Sequence, residues 1–135
     1  MHVKSMELIL SGHEGIMQED IDKWLKELKK GSTKLSILSL LRSGDKYGYE
    51  LIHELDVRTA GVIVIKESNA YPALHSMESD GLVESYWKET GEGIPPRKYY
   101  RITARGQGFL DEMIREWKRY VNAMNGVWGD GSGNQ

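Results

Sequence analysis

The sequence predicts an α+β fold that is mostly helical and carries one small antiparallel hairpin. Three observations predict it. Apolar residues recur at helical spacing in several separate stretches between residues 18 and 125. Two runs rich in Tyr, Trp, Val and Ile, residues 82–88 and 98–103, flank a tip interrupted by Gly and Pro. The helical stretches end in stop signals: Gly31, Ser43-Gly44-Asp45, Gly61 and Asp80-Gly81. A chain of 135 residues, 39% of them hydrophobic, suits one domain with a modest core and an appended element.

The elements follow in order. Residues 1–17 show no clear period and contain two glycines, so only partial order is expected there. Over residues 18–30, Ile21, Trp24, Leu25 and Leu28 fall at i, i+3, i+4 and i+7, one face of an amphipathic helix. Acidic residues lead it and Lys29 and Lys30 close it, which suits the helix dipole. Ser32 caps the next helix. Its Leu35, Ile37, Leu38, Leu40 and Leu41 make it apolar on most of its surface, the pattern of a helix buried on several sides. Tyr47-Gly48-Tyr49-Glu50 opens a third helix with Leu51, Ile52 and Leu55 facing inward. The β-branched run Val62-Ile63-Val64-Ile65 reads as a short buried strand.

In the helix of residues 69–80, Ala70, Leu74 and Met77 share the core face, with Ser68, Pro72, His75 and Ser79 roughly opposite. Asn69 as cap places Pro72 where the missing N–H has no intrahelical partner. The hairpin tip is Thr90-Gly91-Glu92-Gly93-Ile94-Pro95-Pro96. Thr103 then caps a helix that runs to about Asn125, with an apolar stripe of Phe109, Leu110, Met113, Ile114, Trp117, Tyr120, Val121 and Met124. So wide a stripe on so small a domain needs a second surface, and a second copy of the chain supplies it.

Composition narrows the chemistry. The chain has no cysteine, so disulfides and thiolate metal sites are excluded. The histidines His2, His13, His53 and His75 are scattered, with no pair at metal-ligand spacing. Gly91-x-Gly93 lies in a hairpin tip, not between a strand and a helix, so it is no phosphate loop. Ser68 and His75 stand two helical turns apart, which makes no nucleophile–base pair. The expectation is a non-enzyme without cofactor or metal. No apolar run reaches the ~20 residues of a membrane span, and the start of the chain is too mixed for a secretory signal. A cytoplasmic protein with no membrane partner is expected. The net charge is −2, but position matters more than the sum. The hairpin region holds Lys88, Arg97, Lys98, Arg101 and Arg105 against Glu89 and Glu92, a local basic patch suited to phosphate.

A short helix, a tight Gly turn and a basic hairpin in that order look like a winged helix-turn-helix. The motifs Tyr47-Gly48-Tyr49-Glu50, Ala70-Tyr71-Pro72-Ala73-Leu74 with Glu78, Gly81-Leu82-Val83, Arg97-Lys98-Tyr99-Tyr100, and Thr103 with Gly106 complete the pattern. Together they resemble the PadR family of winged-helix transcriptional regulators over about residues 34–124. The short tail resembles the subgroup with a single C-terminal dimerisation helix. The resemblance implies a homodimeric, cytoplasmic protein that binds double-stranded DNA, a repressor released by a small effector. In some family members the dimer interface takes flat aromatic compounds beside a tryptophan of the last helix. Trp117, within Arg115-Glu116-Trp117-Lys118-Arg119, stands in the matching place. Two positions depart from the family pattern: Ala70 replaces the usual Leu before the Tyr, and Ser76 replaces a basic residue.

On this reading residues 1–17 are a poorly ordered extension and 18–105 are the winged helix-turn-helix, including the N-terminal helix. Residues 106–125 are the dimerisation helix and 126–135 a disordered tail. The candidate DNA contacts are Lys34, Tyr47, Ser68, Asn69, Tyr71, His75, Lys88, Arg97 and Lys98. Asn suits adenine through a bidentate pair and Lys or Arg suits phosphate, although Asn69 serves equally as a helix cap and Tyr71 as a packing residue. The candidate dimer and effector surface comprises Trp24, Leu28, Phe109, Leu110, Met113, Ile114, Trp117, Tyr120, Val121 and Met124. The alternative is a winged-helix protein-interaction module, or a small-molecule sensor, that does not bind DNA.

Overall fold

The computed structural model describes residues 2–129 and divides the chain into two compact units, Met1–Ser32 and Thr33–Gln135. Of the expected disordered tail, residues 130–135 lie outside the described residues. The first unit is a single helix, α1 (His2–Gly31). Side-chain periodicity starts that helix near Gln18, whereas the backbone is helical from His2. Met17, Ile21, Trp24 and Leu28 are exposed along it.

The second unit runs α2 (Thr33–Arg42), β1 (Lys46–Tyr47), α3 (Gly48–Arg58), α4 (Glu67–Ser79), β2 (Val83–Lys88), β3 (Arg97–Ile102) and α5 (Ala104–Val127). The fold is mostly helical, with one three-stranded antiparallel sheet in the order β1-β3-β2. Its β2–β3 hairpin is the wing. The core gathers Leu38 and Leu41 of α2, Leu51 and Leu55 of α3, Leu74 and Met77 of α4, Val83, Tyr100 and Ile102 of the sheet, and Leu110 of α5. Burying each large aliphatic side chain contributes roughly 1.5–3 kcal/mol, so this cluster is what holds α4 and the wing to α2 and α3.

Two local expectations are corrected. Val62-Ile63-Val64-Ile65 is no strand; the short third strand is β1 instead. The cause lies at the end of α3. Ala60 and Gly61 both take positive φ, which turns the chain sharply. Thr59 Oγ1 then donates to the Leu55 carbonyl at 2.9 Å and accepts the Ile63 N–H at 3.0 Å. The segment is pinned as a loop in which Ile65 is buried while Val62 and Val64 face solvent.

The start of α4 also differs. Lys66, not Asn69, is the N-cap, and its carbonyl accepts from the Asn69 and Ala70 N–H groups at 2.9 Å each. Glu67 in the first turn suits the helix dipole. Pro72 therefore sits inside the helix, and the Ser68 carbonyl loses its usual i+4 donor.

Helix α5 is bolted on at its start. The Thr103 hydroxyl accepts from the Gly106 N–H at 3.0 Å and donates to the Gly81 carbonyl at 2.6 Å. Arg105 Nε donates to the Asp80 carbonyl at 3.0 Å. Arg42 of α2 pairs with Asp111 at 2.6 Å and reaches Gln107 Oε1 at 3.1 Å.

Candidate nucleic-acid interface

Helix α4 divides cleanly by the helical period. Ala70, Leu74 and Met77 are buried. Ser68, Asn69, Pro72, His75, Ser76 and Ser79 are exposed on the other side, and no carboxylate lies among them. Glu67 and Glu78 fall nearer the core side; Ser85 of β2 donates to the Glu78 carboxylate at 2.5 Å. The result is a short helix presenting hydroxyl, amide and imidazole groups, all able to donate or accept at base edges and phosphates.

Tyr71 stands at the flank of that face, 37% exposed. Its ring packs over Gly48, the first residue of α3. Burial pushes the Tyr100 hydroxyl above its ordinary value, and the Glu78 and Tyr71 side chains push in the same direction.

The wing alternates as a strand pair must. Val83, Tyr100 and Ile102 point to the core. Tyr86, Lys88, Arg97, Tyr99 and Arg101 take the outer face, where Tyr47 of β1 lies opposite Tyr99. The three tyrosines form a row: Tyr47 to Tyr99 edge-on at 5.5 Å, and Tyr99 to Tyr86 stacked at 5.8 Å between centroids. Each ring carries a cation, with Arg97 over Tyr47 at 4.6 Å, Lys88 over Tyr99 at 5.1 Å and Arg101 over Tyr86 at 4.7 Å. Lys98, on the inner face, lies 5.7 Å from the Tyr100 ring.

These cations are not equivalent. Arg101 pairs with Asp45 at 3.2 Å and Glu84 at 3.3 Å, so its charge is matched within the chain. Its bond to Glu84, helped by the charge of Asp45, raises the guanidinium pKa further. Tyr86 donates to the same Asp45 at 2.7 Å, and that bond raises the Tyr86 hydroxyl above its ordinary value. Arg105 Nε donates to the neutral Asp80 carbonyl, which holds the side chain and leaves its charge intact. Among the described residues, Lys88, Arg97 and Lys98 have no carboxylate partner.

Of the nine candidate contacts, Tyr47, Lys88 and Arg97 are thus brought together on the outer face of the three-stranded sheet, with Lys98 on its inner face. Ser68, Asn69, Tyr71 and His75 are brought together on α4. Lys34 is half-buried in the first turn of α2. Sequence reading missed Tyr86, Tyr99, Asp45 and Glu84. The period-two spacing Arg97, Tyr99, Arg101 was a signal for the first pair; the carboxylates come from other elements and had none.

On α5, Phe109, Trp117, Tyr120 and Val121 are exposed and Met113, Ile114 and Met124 half-buried. Leu110 is fully buried in the core of its own unit, and Met113 and Ile114 pack against that core. Beyond Ile114 no residue of α5 belongs to it. The far side carries the pairs Glu112–Arg115 at 2.6 Å and Glu116–Arg119 at 3.1 Å. No helix among the described residues is long and apolar enough to cross a membrane.

The sequence profile of the Transcriptional regulator PadR-like family matches residues 37–112, from α2 through the wing into α5. The chain belongs to the PadR-like family. It is therefore a member of a family of transcriptional regulators, not of enzymes. This PadR-like chain is 35% identical over 91 residues to an uncharacterised protein of Lysinibacillus sphaericus, covering 67% of the chain and 83% of that protein. Its fold matches a PadR family transcriptional regulator from Eggerthella lenta with a TM-score of 0.75 at 29% identity, over 86% of this chain and 98% of that one. It also matches Bacillus subtilis PadR, solved in complex with operator DNA, with a TM-score of 0.55 at 26% identity, over 60% of this chain and 45% of that one.

Proposed function

We propose that this PadR-like chain binds double-stranded DNA as a homodimer in the cytoplasm and represses transcription from an inverted-repeat operator. One observation carries the reading. The outward face of α4 is polar and free of carboxylates, and the wing holds Lys88, Arg97 and Lys98 with no acidic partner among the described residues. A helix of that kind suits a major groove, and such cations suit the flanking phosphates. The relative from Bacillus subtilis, solved with its operator, supports the same reading.

The homodimer is supported by the stripe on α5, whose outer half has no core of its own to cover it. A two-fold dimer presents two copies of α4 to successive turns of one duplex. The effector is a flat aromatic molecule between the two Trp117 rings, since Trp117 is 45% exposed in the middle of the stripe.

The test is a gel shift with DNA from upstream of the chain's own gene, repeated across a salt series. Binding that weakens steeply with salt is expected. No shift at low salt contradicts the DNA reading. Planar aromatic compounds should quench tryptophan emission, and Trp117→Ala should abolish the effect; quenching that survives Trp117→Ala contradicts the effector site.

A further inference from the structure

The register of the wing sets Lys88 directly opposite Arg97. Side chains in that relation have β-carbons about 4.5–5.5 Å apart, and like charges there repel. A carboxylate would relieve the repulsion, as Asp45 and Glu84 do for Arg101 on the same face. Neither Lys88 nor Arg97 has one among the described residues. Each sits over a tyrosine ring instead, Lys88 on Tyr99 and Arg97 on Tyr47.

The difference is chemical. A carboxylate attracts a cation and cancels its charge. A ring face attracts it through the quadrupole and leaves the charge intact. The row is therefore graded: Arg101 is matched by carboxylates, while Arg97 and Lys88, closer to the hairpin tip, are held but not neutralised. A guanidinium fork beside an ammonium suits the oxygens of one phosphate.

We propose that Tyr47 and Tyr99 are positioning residues, whose ring faces hold Arg97 and Lys88 side by side as a clamp for one backbone phosphate. This rests on the DNA-binding reading and adds which atoms of the tyrosines matter: the rings, not the hydroxyls.

The test compares Tyr99→Leu with Tyr99→Phe, and Tyr47→Leu with Tyr47→Phe, in the full-length chain, by fluorescence anisotropy on its upstream DNA. Loss of the ring face should make each Tyr→Leu variant bind about two- to fivefold more weakly than the matching Tyr→Phe variant. In an Arg97→Ala background the difference at Tyr47 should vanish, and in a Lys88→Ala background that at Tyr99 should vanish. Equal affinities of the Leu and Phe variants overturn the inference. So does a difference that persists in the Ala backgrounds, because that is a folding effect. If the unsubstituted chain binds no DNA, the DNA reading itself falls and takes the inference with it.

Discussion

The Tyr71 ring lies so close over Gly48 that a β-carbon there would stand 2.5 Å from the hydroxyl oxygen and 2.6 Å from Cε1. Gly48 begins α3 and Tyr71 belongs to α4, so the absent side chain of one residue sets the seat of the other. That seat lies at the flank of the face α4 presents to solvent.

Gly48→Ala should therefore push the Tyr71 ring aside and lower stability by about 1 kcal/mol, read as a shift of the urea midpoint. That is the bottom of the overpacking range, because the obstructing atoms are the outer end of a side chain 37% exposed. With Tyr71→Ala in the same chain the obstacle is gone. The substitution should then be neutral or stabilising, by up to roughly 1 kcal/mol from helix propensity. An unchanged midpoint for Gly48→Ala alone would mean the ring moves aside without penalty.

Gly106 should tolerate a side chain even less. A β-carbon there would run into the Leu82 backbone carbonyl, which also accepts the Thr103 N–H at 3.1 Å. A carbonyl held in this way cannot rotate away, so Gly106→Ala should lose more stability than Gly48→Ala, about 3 kcal/mol at the top of the overpacking range. Thr103→Val removes the cap and should lose about 1 kcal/mol. Equal urea midpoints for Gly106→Ala and the parent chain would contradict the packing of α5 on the turn before β2.

Alkaline pH should lower the stability of the protein, with a sign fixed by two tyrosines. Tyr100 is raised first by burial and Tyr86 first by its bond to Asp45. Below the ordinary tyrosine value of about 10, both hydroxyls keep their protons folded or unfolded, and these groups give no pH dependence. Above it the unfolded chain loses protons first, so stability falls as pH rises through the folded-state values. Urea unfolding at rising pH measures the decline, and Tyr86→Phe should make it shallower. A slope identical in the Tyr86→Phe chain would remove Tyr86 from the account.

The two kinds of wing cation should separate in a salt titration. Replacing Lys88 and Arg97 together by Ala should reduce the slope of log K against log salt by about 0.9, the share of the one phosphate they hold. Arg101→Ala should change it much less, because Asp45 and Glu84 already match that charge. An equal change in the Lys88/Arg97 double variant and in Arg101→Ala would contradict the distinction.

Much of the fold was legible because period and punctuation agreed. Ala70, Leu74 and Met77 share a face in any helix, Thr103 reads as a cap, and the Tyr-rich runs read as a hairpin. Val62-Ile63-Val64-Ile65 misled because β-branched residues mark a strand only where a neighbouring strand is available to pair. Here Thr59 holds the segment instead, and β3 pairs with β1. The N-cap of α4 misled because Asn69 has the right chemistry, yet the helix was already set from Glu67. In the candidate interface the cations were legible one by one. Their unequal value was not, because it depends on Asp45, which lies 56 residues from Arg101 along the chain.

The central claim is that a two-fold pair of α4 helices, each flanked by its wing, reads one duplex. Hydroxyl-radical footprinting on the DNA upstream of the chain's own gene, with the stoichiometry of the complex, tests it most directly. The account predicts two protected half-sites related by two-fold symmetry, centred about 34–36 Å apart, with two chains per duplex. A single protected site carrying one chain, or no protection at low salt, would contradict it.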